Sequence, residues 1–200
     1  MDWRDRYERA AARYAAGETR ELDERQLVQL ANAAWAAGLS LLMAGDLGGA
    51  GEWLRRSADR YRESWDAGTA TDAWGRLIGA MKALLIAGAD ASEAAHWTLQ
   101  TDAAITESPI GRYAAALALL IIGNDEWAAR QASDLQRVKG FPREVADALE
   151  ALATGNRTAY ADAAERVRRS FDEREDFLED VPVPDTALAL DALAARRGLS

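Results

Sequence analysis

Residues 172 to 180 read DEREDFLED, the densest run of carboxylates in the chain. Asp172 and Asp176, and Glu175 and Glu179, stand four apart, which on a helix would place each pair on one face. Carboxylates paired in this way can hold Mg²⁺ for work on a diphosphate substrate. One reading of the run is therefore a Mg-dependent all-α enzyme. The other is a solvated acidic surface, on which Glu173, Glu175, Asp176, Glu179 and Asp180 meet a basic protein partner. No second acidic motif accompanies the run, and neither Lys82 nor Lys139 has an evident relation to it.

Other chemistry is hard to assemble. His96 is the only histidine and cysteine is absent, so no two-histidine metal motif, thiolate site or conventional serine or cysteine triad can form. Carboxylates would be the only other strong side-chain ligands, and no cofactor or transition metal is expected. His96 precedes Trp97 in a predicted helix, where a surface or interhelix position is the ordinary role. The glycine-rich GDLGGAG at 45 to 51 lacks the lysine of a phosphate-binding loop and follows a helical pattern instead of a strand. The seven tryptophans mostly occupy apolar positions at helical spacing, as core residues do.

Composition points the same way. The 200 residues are 49% hydrophobic and include 45 alanines against 15 glycines and 4 prolines, which favours one compact domain of closely packed helices. A net charge of −9 disfavours nucleic acid and anionic membrane as primary partners, because both require a basic face to displace counterions. Absence of cysteine removes any need for an oxidising compartment, and MDWRDRYERAAARY has no apolar core of a secretory signal, so a cytoplasmic address is expected. Gln26 to Gly45 is uncharged over a length that could span a bilayer. Its amides Gln26, Gln29 and Asn32, and the Gly45-Asp46 break that also ends shorter apolar runs, predict a buried helix instead.

The elements follow from periodicity and punctuation. Trp3, Tyr7, Ala10 and Tyr14 predict a first helix behind Asp2 and ending at Gly17; a second runs from about Asp23 to Ala44. Glycine followed closely by Asp or Asn then recurs at Gly45-Asp46, Gly88 with Asp90, Gly123-Asn124 and Gly155-Asn156, with spacings of 43, 35 and 32 residues. Glycine can take the left-handed conformation that ends one helix, and the acid or amide can cap the next. Helices are thus predicted on both sides of each break: from Asp46, from Thr71 to Ala87, from Asp90 with Glu93 closing a capping box, from Ser108-Pro109 to Ile122, and from Pro142 to Thr154. Tyr160, Ala163, Val167, Phe171 and Phe177 form the stripe of a further helix. VPVPD cannot be helical, and Asp185 or Thr186 caps a last helix, ALALDALAARR, which stops at Gly198.

The stretch ANAAWAAGLSLLMAGDLGGAGEWLRRSADRYRES (31 to 64) resembles a tetratricopeptide repeat. Gly38 stands where the two helices would touch, Gly45-Asp46-Leu47 at the turn, and Ala50, Leu54 and Ser57 at the packing positions of the second helix. The hairpin at Gly123 keeps Ala128 at matching separation, and that at Gly155 keeps the glycine. The order of AALALLIIGNDEWAARQA, ALEALATGNRTAYADAAERV and ALALDALAARRGL is similar to the immunity protein 49 family of bacterial polymorphic toxin systems, though no functional residue carries over from it.

These resemblances imply an all-α fold of antiparallel helical hairpins, stacked as a tetratricopeptide-like right-handed array with a C-terminal capping helix. The expected organisation is one domain over 1–200: an N-terminal helix at 1–22, hairpins at 23–178, and a proline loop with capping helix at 179–200. The inner face of such an array would carry Trp35, Leu39, Leu42, Ile78, Leu85, Tyr113, Leu117, Leu120, Val145, Leu149 and Leu152. That face is too apolar to be left wet, so the terminal helix, a partner helix or a second copy in a homodimer must cover it. The function expected is a non-catalytic protein-protein interaction module; an immunity protein masking a toxin is its sharper form.

Overall fold

A computed structural model describes residues 2–18, 21–68 and 73–199. Among them lie ten α-helices and no strand: α1 Trp3–Gly17, α2 Glu24–Met43, α3 Leu47–Ala67, α4 Trp74–Ile86, α5 Ser92–Leu99, α6 Pro109–Ile122, α7 Asp125–Gln136, α8 Arg143–Ala153, α9 Arg157–Asp172 and α10 Asp185–Arg196. Short 3-10 turns occupy Asp102–Ala104 and Leu178–Asp180. The fold class is all-α. The contacts divide into two compact units, one of residues 1–89 with 175–183, the other of 90–174 with 184–200. No helix among the described residues is long and apolar enough to cross a membrane.

One turn motif ends five of the helices. At Gly45, Gly88, Gly123, Gly155 and Gly198, φ lies between +67° and +84°, a region that side chains with a Cβ rarely adopt. The glycine N–H bonds the carbonyl three residues back and the following N–H the carbonyl five back. Gly45 thus donates to Leu42 at 3.1 Å and Asp46 to Leu41 at 3.0 Å; Gly155 donates to Leu152 at 3.3 Å and Asn156 to Ala151 at 2.9 Å. Orphan carbonyls at the helix end are satisfied by this pairing, and at Gly45, Gly123 and Gly155 the next helix begins within two or three residues and packs on the one before.

The capping half of the pattern is less uniform. Asp46 accepts from Gly49 N–H at 2.9 Å and Asn156 from Ala159 N–H at 3.1 Å, as the sequence predicts. Asn124 makes no side-chain cap bond, and α7 instead begins with Asp125 and Glu126, whose charges suit the positive end of the helix dipole. Asp90 is not the cap of α5 either: Ala91 holds that position without a side-chain bond, so no capping box forms with Glu93. The Asp90 carboxylate takes the Ser92 N–H at 2.9 Å in a tight local turn; the hydrogen bond of the Ser92 side chain, then this backbone one, hold its pKa below the ordinary value. The predicted start at Thr71 lies outside the described residues. Likewise Asp185 is the first residue of α10 instead of its cap, which is Pro184.

In the first unit α2 is the central helix, with Leu27, Leu30, Trp35, Leu39, Leu41 and five alanines buried around its girth. That burial accounts for the long uncharged run. Its neighbours run antiparallel, as the contacts show: Gly17 and Tyr14 of α1 meet Leu30, Ala33 and Ala34, while Leu41, Gly38 and Ala31 of α2 meet Gly49, Leu54 and Ser57 of α3. Ser57 Oγ donates to the Ala31 carbonyl at 2.9 Å, and Tyr61 hydroxyl donates to Asn32 Oδ1 at 2.7 Å. At Gly38 the helices approach so closely that a Cβ would lie 2.7 Å from Leu54 Cγ and 3.2 Å from the Ala50 carbonyl oxygen. Trp53 stacks edge-on against Tyr7 and Tyr14. Tyr61 also covers Gly79, which sets α4 against α3.

In the second unit α6 has the corresponding role, burying Ala114, Ala115, Ala116, Leu117, Ala118, Leu119 and Leu120. Each of α5 to α9 packs on the next in sequence, and α10 packs on α8 and α9. Ala187, Ala189, Leu190, Leu193 and Ala194 of α10 are buried, whereas Leu188 is only half-buried. Polar ties lock α10 in place. Tyr160 of α9 donates to Asp191 at 2.7 Å, and Arg168 meets the other Asp191 oxygen at 2.6 Å. Arg197, just past α10, donates to the Leu120 carbonyl at 2.7 Å, the Leu152 carbonyl at 3.3 Å and Asp125 at 2.6 Å. A single cation thereby serves the negative ends of α6 and α8.

Ten of the eleven residues expected on an apolar inner face are buried, and Leu42 is half-buried. Of the seven tryptophans, Trp35, Trp74 and Trp97 are buried, but Trp127 is 51% exposed with Arg130 over its ring.

Two outcomes test this packing. Gly38→Val should cost about 1–3 kcal/mol in denaturant unfolding, because its side chain meets Leu54 and the α3 backbone. Gly75→Ala, where a Cβ meets nothing within 4 Å, should be neutral or slightly stabilising. The second outcome concerns pH. Burial, then the bond and charge of Asp191, push the Tyr160 phenol well above its ordinary 10.0; burial, then the Asp185 charge, do the same for Tyr113. Both are held protonated in the fold, so their contribution is complete below pH 10.0 and is lost as pH rises above it. In an alkaline titration, ionisation of these two tyrosines should accompany loss of helical circular dichroism instead of preceding it.

Candidate functional site

Only Asp172 of the acidic run lies on an α-helix. α9 ends at Asp172, where Glu173 N–H bonds the Arg169 carbonyl at 3.2 Å and Arg174 N–H bonds Phe171 at 3.1 Å. The i, i+4 pairing of Asp172 with Asp176 and of Glu175 with Glu179 on helix faces is therefore overturned, and Phe177 is not part of the α9 stripe. The cause is local. Successive carboxylates at a helix C-terminus oppose the dipole, and aspartate is a poor helix former.

Glu173 is the exposed C-cap of α9 in the second unit. Glu175 and Asp176, also exposed, open the segment 175–183 that belongs to the first unit. Phe177 is half-buried and Leu178 is 53% exposed. Glu179 and Asp180 follow in the left-handed region, both at φ 57°, an uncommon state for residues with a side chain. Helix α1 holds them there. Arg13 pairs with Glu179 at 2.8 Å, and Arg6 donates a hydrogen bond to the Asp180 carbonyl. Val181 and Val183 are then buried. Of the five acidic residues singled out from sequence, three are thus exposed on the chain before this bend, and Glu179 and Asp180 form part of it.

Two cavities flank the Arg13–Glu179 pair, all within the first unit. One, of about 430 Å³, has an apolar floor of Leu22, Leu30, Ala33, Ala16 and Gly17, with Gln26 and Gln29 at its edge. The other, of about 290 Å³, is lined by Arg6, Arg9, Arg13, Ala36, Glu179, Asp180 and Val181. The Arg6 guanidinium faces only a neutral carbonyl, and Arg9 is exposed; among the described residues neither has a carboxylate at ion-pair distance. Sequence reasoning missed these arginines. Their spacing, at 6, 9 and 13, is the signal that places them on one face of α1.

Elsewhere the chemistry is sparse. His96 is exposed on α5. Among the described residues no three His, Asp or Glu side chains gather in a way that could hold a metal ion. A polar groove of about 570 Å³ between α8 and α9 is lined by Asp147, Glu150, Thr154, Asn156, Asp162 and Arg166. Its carboxylates are largely committed: Asp147 to Arg143 and Arg166 at 2.9 Å each, and Glu150 to Gln136 at 2.6 Å.

The bend at 179–180 makes its own prediction. Asp180→Gly keeps the carbonyl that Arg6 uses and relieves the left-handed strain, so the variant should unfold no more easily than the parent. Asp180→Val should lose about 1–2 kcal/mol by chemical denaturation, since a β-branched residue suits that conformation least.

Comparison with protein-family models, with curated proteins and with solved structures gives no match for this chain.

Proposed function

We propose that the protein is a non-catalytic interaction module, its helices stacked as a tetratricopeptide-like array with α10 as the terminal cap. Supporting the architecture are the recurrent glycine turn, the Gly38 contact with Leu54 and Ala50, and the buried apolar residues of α10. Because the apolar residues assigned to the inner face are buried within the chain, the partner meets a different surface.

The observation that carries the reading is the exposed stretch from Glu175 to Leu178 in the first unit. Two carboxylates and a half-exposed leucine lead into the bend at Glu179 and Asp180, which Arg13 and Arg6 of α1 hold. Such a stretch offers a charged rim and an apolar anchor to a basic protein surface. An immunity protein that masks a basic toxin is the sharper form of this function, in which electrostatic attraction speeds capture.

The test compares the full chain with the double variant E175K/D176K in affinity capture from the producing cells. A basic protein held by the parent, released by raised salt and absent from the variant is the expected result. Identical captures from both chains would remove the acidic stretch from the interface. Magnesium-dependent turnover of a diphosphate, abolished in the same variant, would replace the interaction reading with the enzymatic one.

A further inference from the structure

The paired cavities beside α1 have no part in the function proposed above, and their chemistry is of a different kind. The larger is floored by leucine and alanine and, at about 430 Å³, falls within the size range of small-molecule pockets. The smaller is lined by Arg6, Arg9 and Arg13 together with Glu179 and Asp180; Arg13 pairs with Glu179 and Arg6 donates to the Asp180 carbonyl, while neither Arg6 nor Arg9 has a carboxylate at ion-pair distance. Both are lined by Arg13 and Glu179, so the ion pair is the partition between an apolar space and a cationic one. The partition is shallowly held. Arg13 is 55% exposed, and Glu179 sits in a backbone conformation that its own side chain disfavours.

We propose that this cleft binds a small anionic amphiphile, with a carboxylate or phosphate head on Arg6 and Arg9 and an apolar body over Leu22, Leu30 and Ala33. An incoming oxyanion finds Arg6 and Arg9 without a carboxylate at ion-pair distance, so the one ion pair it has to open is Arg13–Glu179, and charge-assisted bonds of this kind are the stronger ones. The net charge of −9 does not forbid it: screening at physiological salt limits the distant acidic residues to a range of about 8 Å, so the nearby arginines dominate. An apolar body gains by leaving water for the leucine floor. Displacement of Glu179 from Arg13 by the head group would join the two spaces.

The experiment is calorimetric titration of the full chain with decanoate, decyl phosphate, decanol and inorganic phosphate. Two variants of exposed residues accompany it, Arg9→Glu and Gln29→Trp, with their thermal unfolding checked against the parent. Saturable one-to-one binding of decanoate or decyl phosphate is expected, the tighter of the two identifying the head group. Arg9→Glu should weaken it about tenfold or more, as expected for loss of a charge-assisted contact. Gln29→Trp, which fills the edge of the apolar space, should weaken it as well while leaving the arginines in place. The proposal is overturned if neither anionic amphiphile binds saturably, if both variants bind as the parent does, or if decanol or inorganic phosphate alone binds as tightly as the amphiphiles.

Discussion

A left-handed glycine that closes two backbone bonds onto the helix it ends is the constraint on which this fold depends. At Gly45, Gly123 and Gly155 it lets the chain reverse in two or three residues, and there the next helix lies against the last. Alanine then decides how near they come. Where Gly38 faces Leu54, and where α2 and α6 are lined with alanine, the axes can approach until backbone and side chain touch. Large side chains are needed only to fill what remains, which is why a chain with 45 alanines still encloses a dry core.

What was legible in the sequence was local chemistry. Helix ends at Asp2, Asp23, Asp46, Ser108 and Gly45 could be read because a cap or a left-handed turn is made by neighbours in the chain. Reading failed where two local solutions compete. Asp90 prefers a bond two residues on to a true cap, and the acids after Phe171 end a helix that the apolar stripe would continue. It failed more deeply at 175–183. The bend at Glu179 and Asp180 is set by Arg13 and Arg6, more than 160 residues earlier, and nothing in DEREDFLED announces those partners.

Charge is arranged with more economy than the net figure suggests. Arginine predominates over lysine, and its planar fork is used where several acceptors meet, as at Arg197 with two carbonyls and a carboxylate. Arg76 similarly joins Glu24 and the Ser64 carbonyl in the first unit, fixing the starts of α2 and α4 relative to the end of α3. Arg60 lies between Glu63, Glu18 and Tyr14; burial would lower its pKa, but the bonds to Glu63 and Tyr14 outweigh that and raise it. These cations are structural, whereas Arg9 has no such employment.

The nine residues from 175 to 183 have a consequence for the order in which the molecule can be made. They complete the first unit, yet they are synthesised after residues 90–174 of the second. Between residue 89 and residue 183 lie 94 positions, which at about 5–20 residues per second take a ribosome roughly 5–20 seconds. For that interval α1 to α4 exist without the segment that packs on α2 and supplies the buried Val181 and Val183. Vectorial synthesis therefore presents an unfinished first unit to the cell until residues 175–183 have been added.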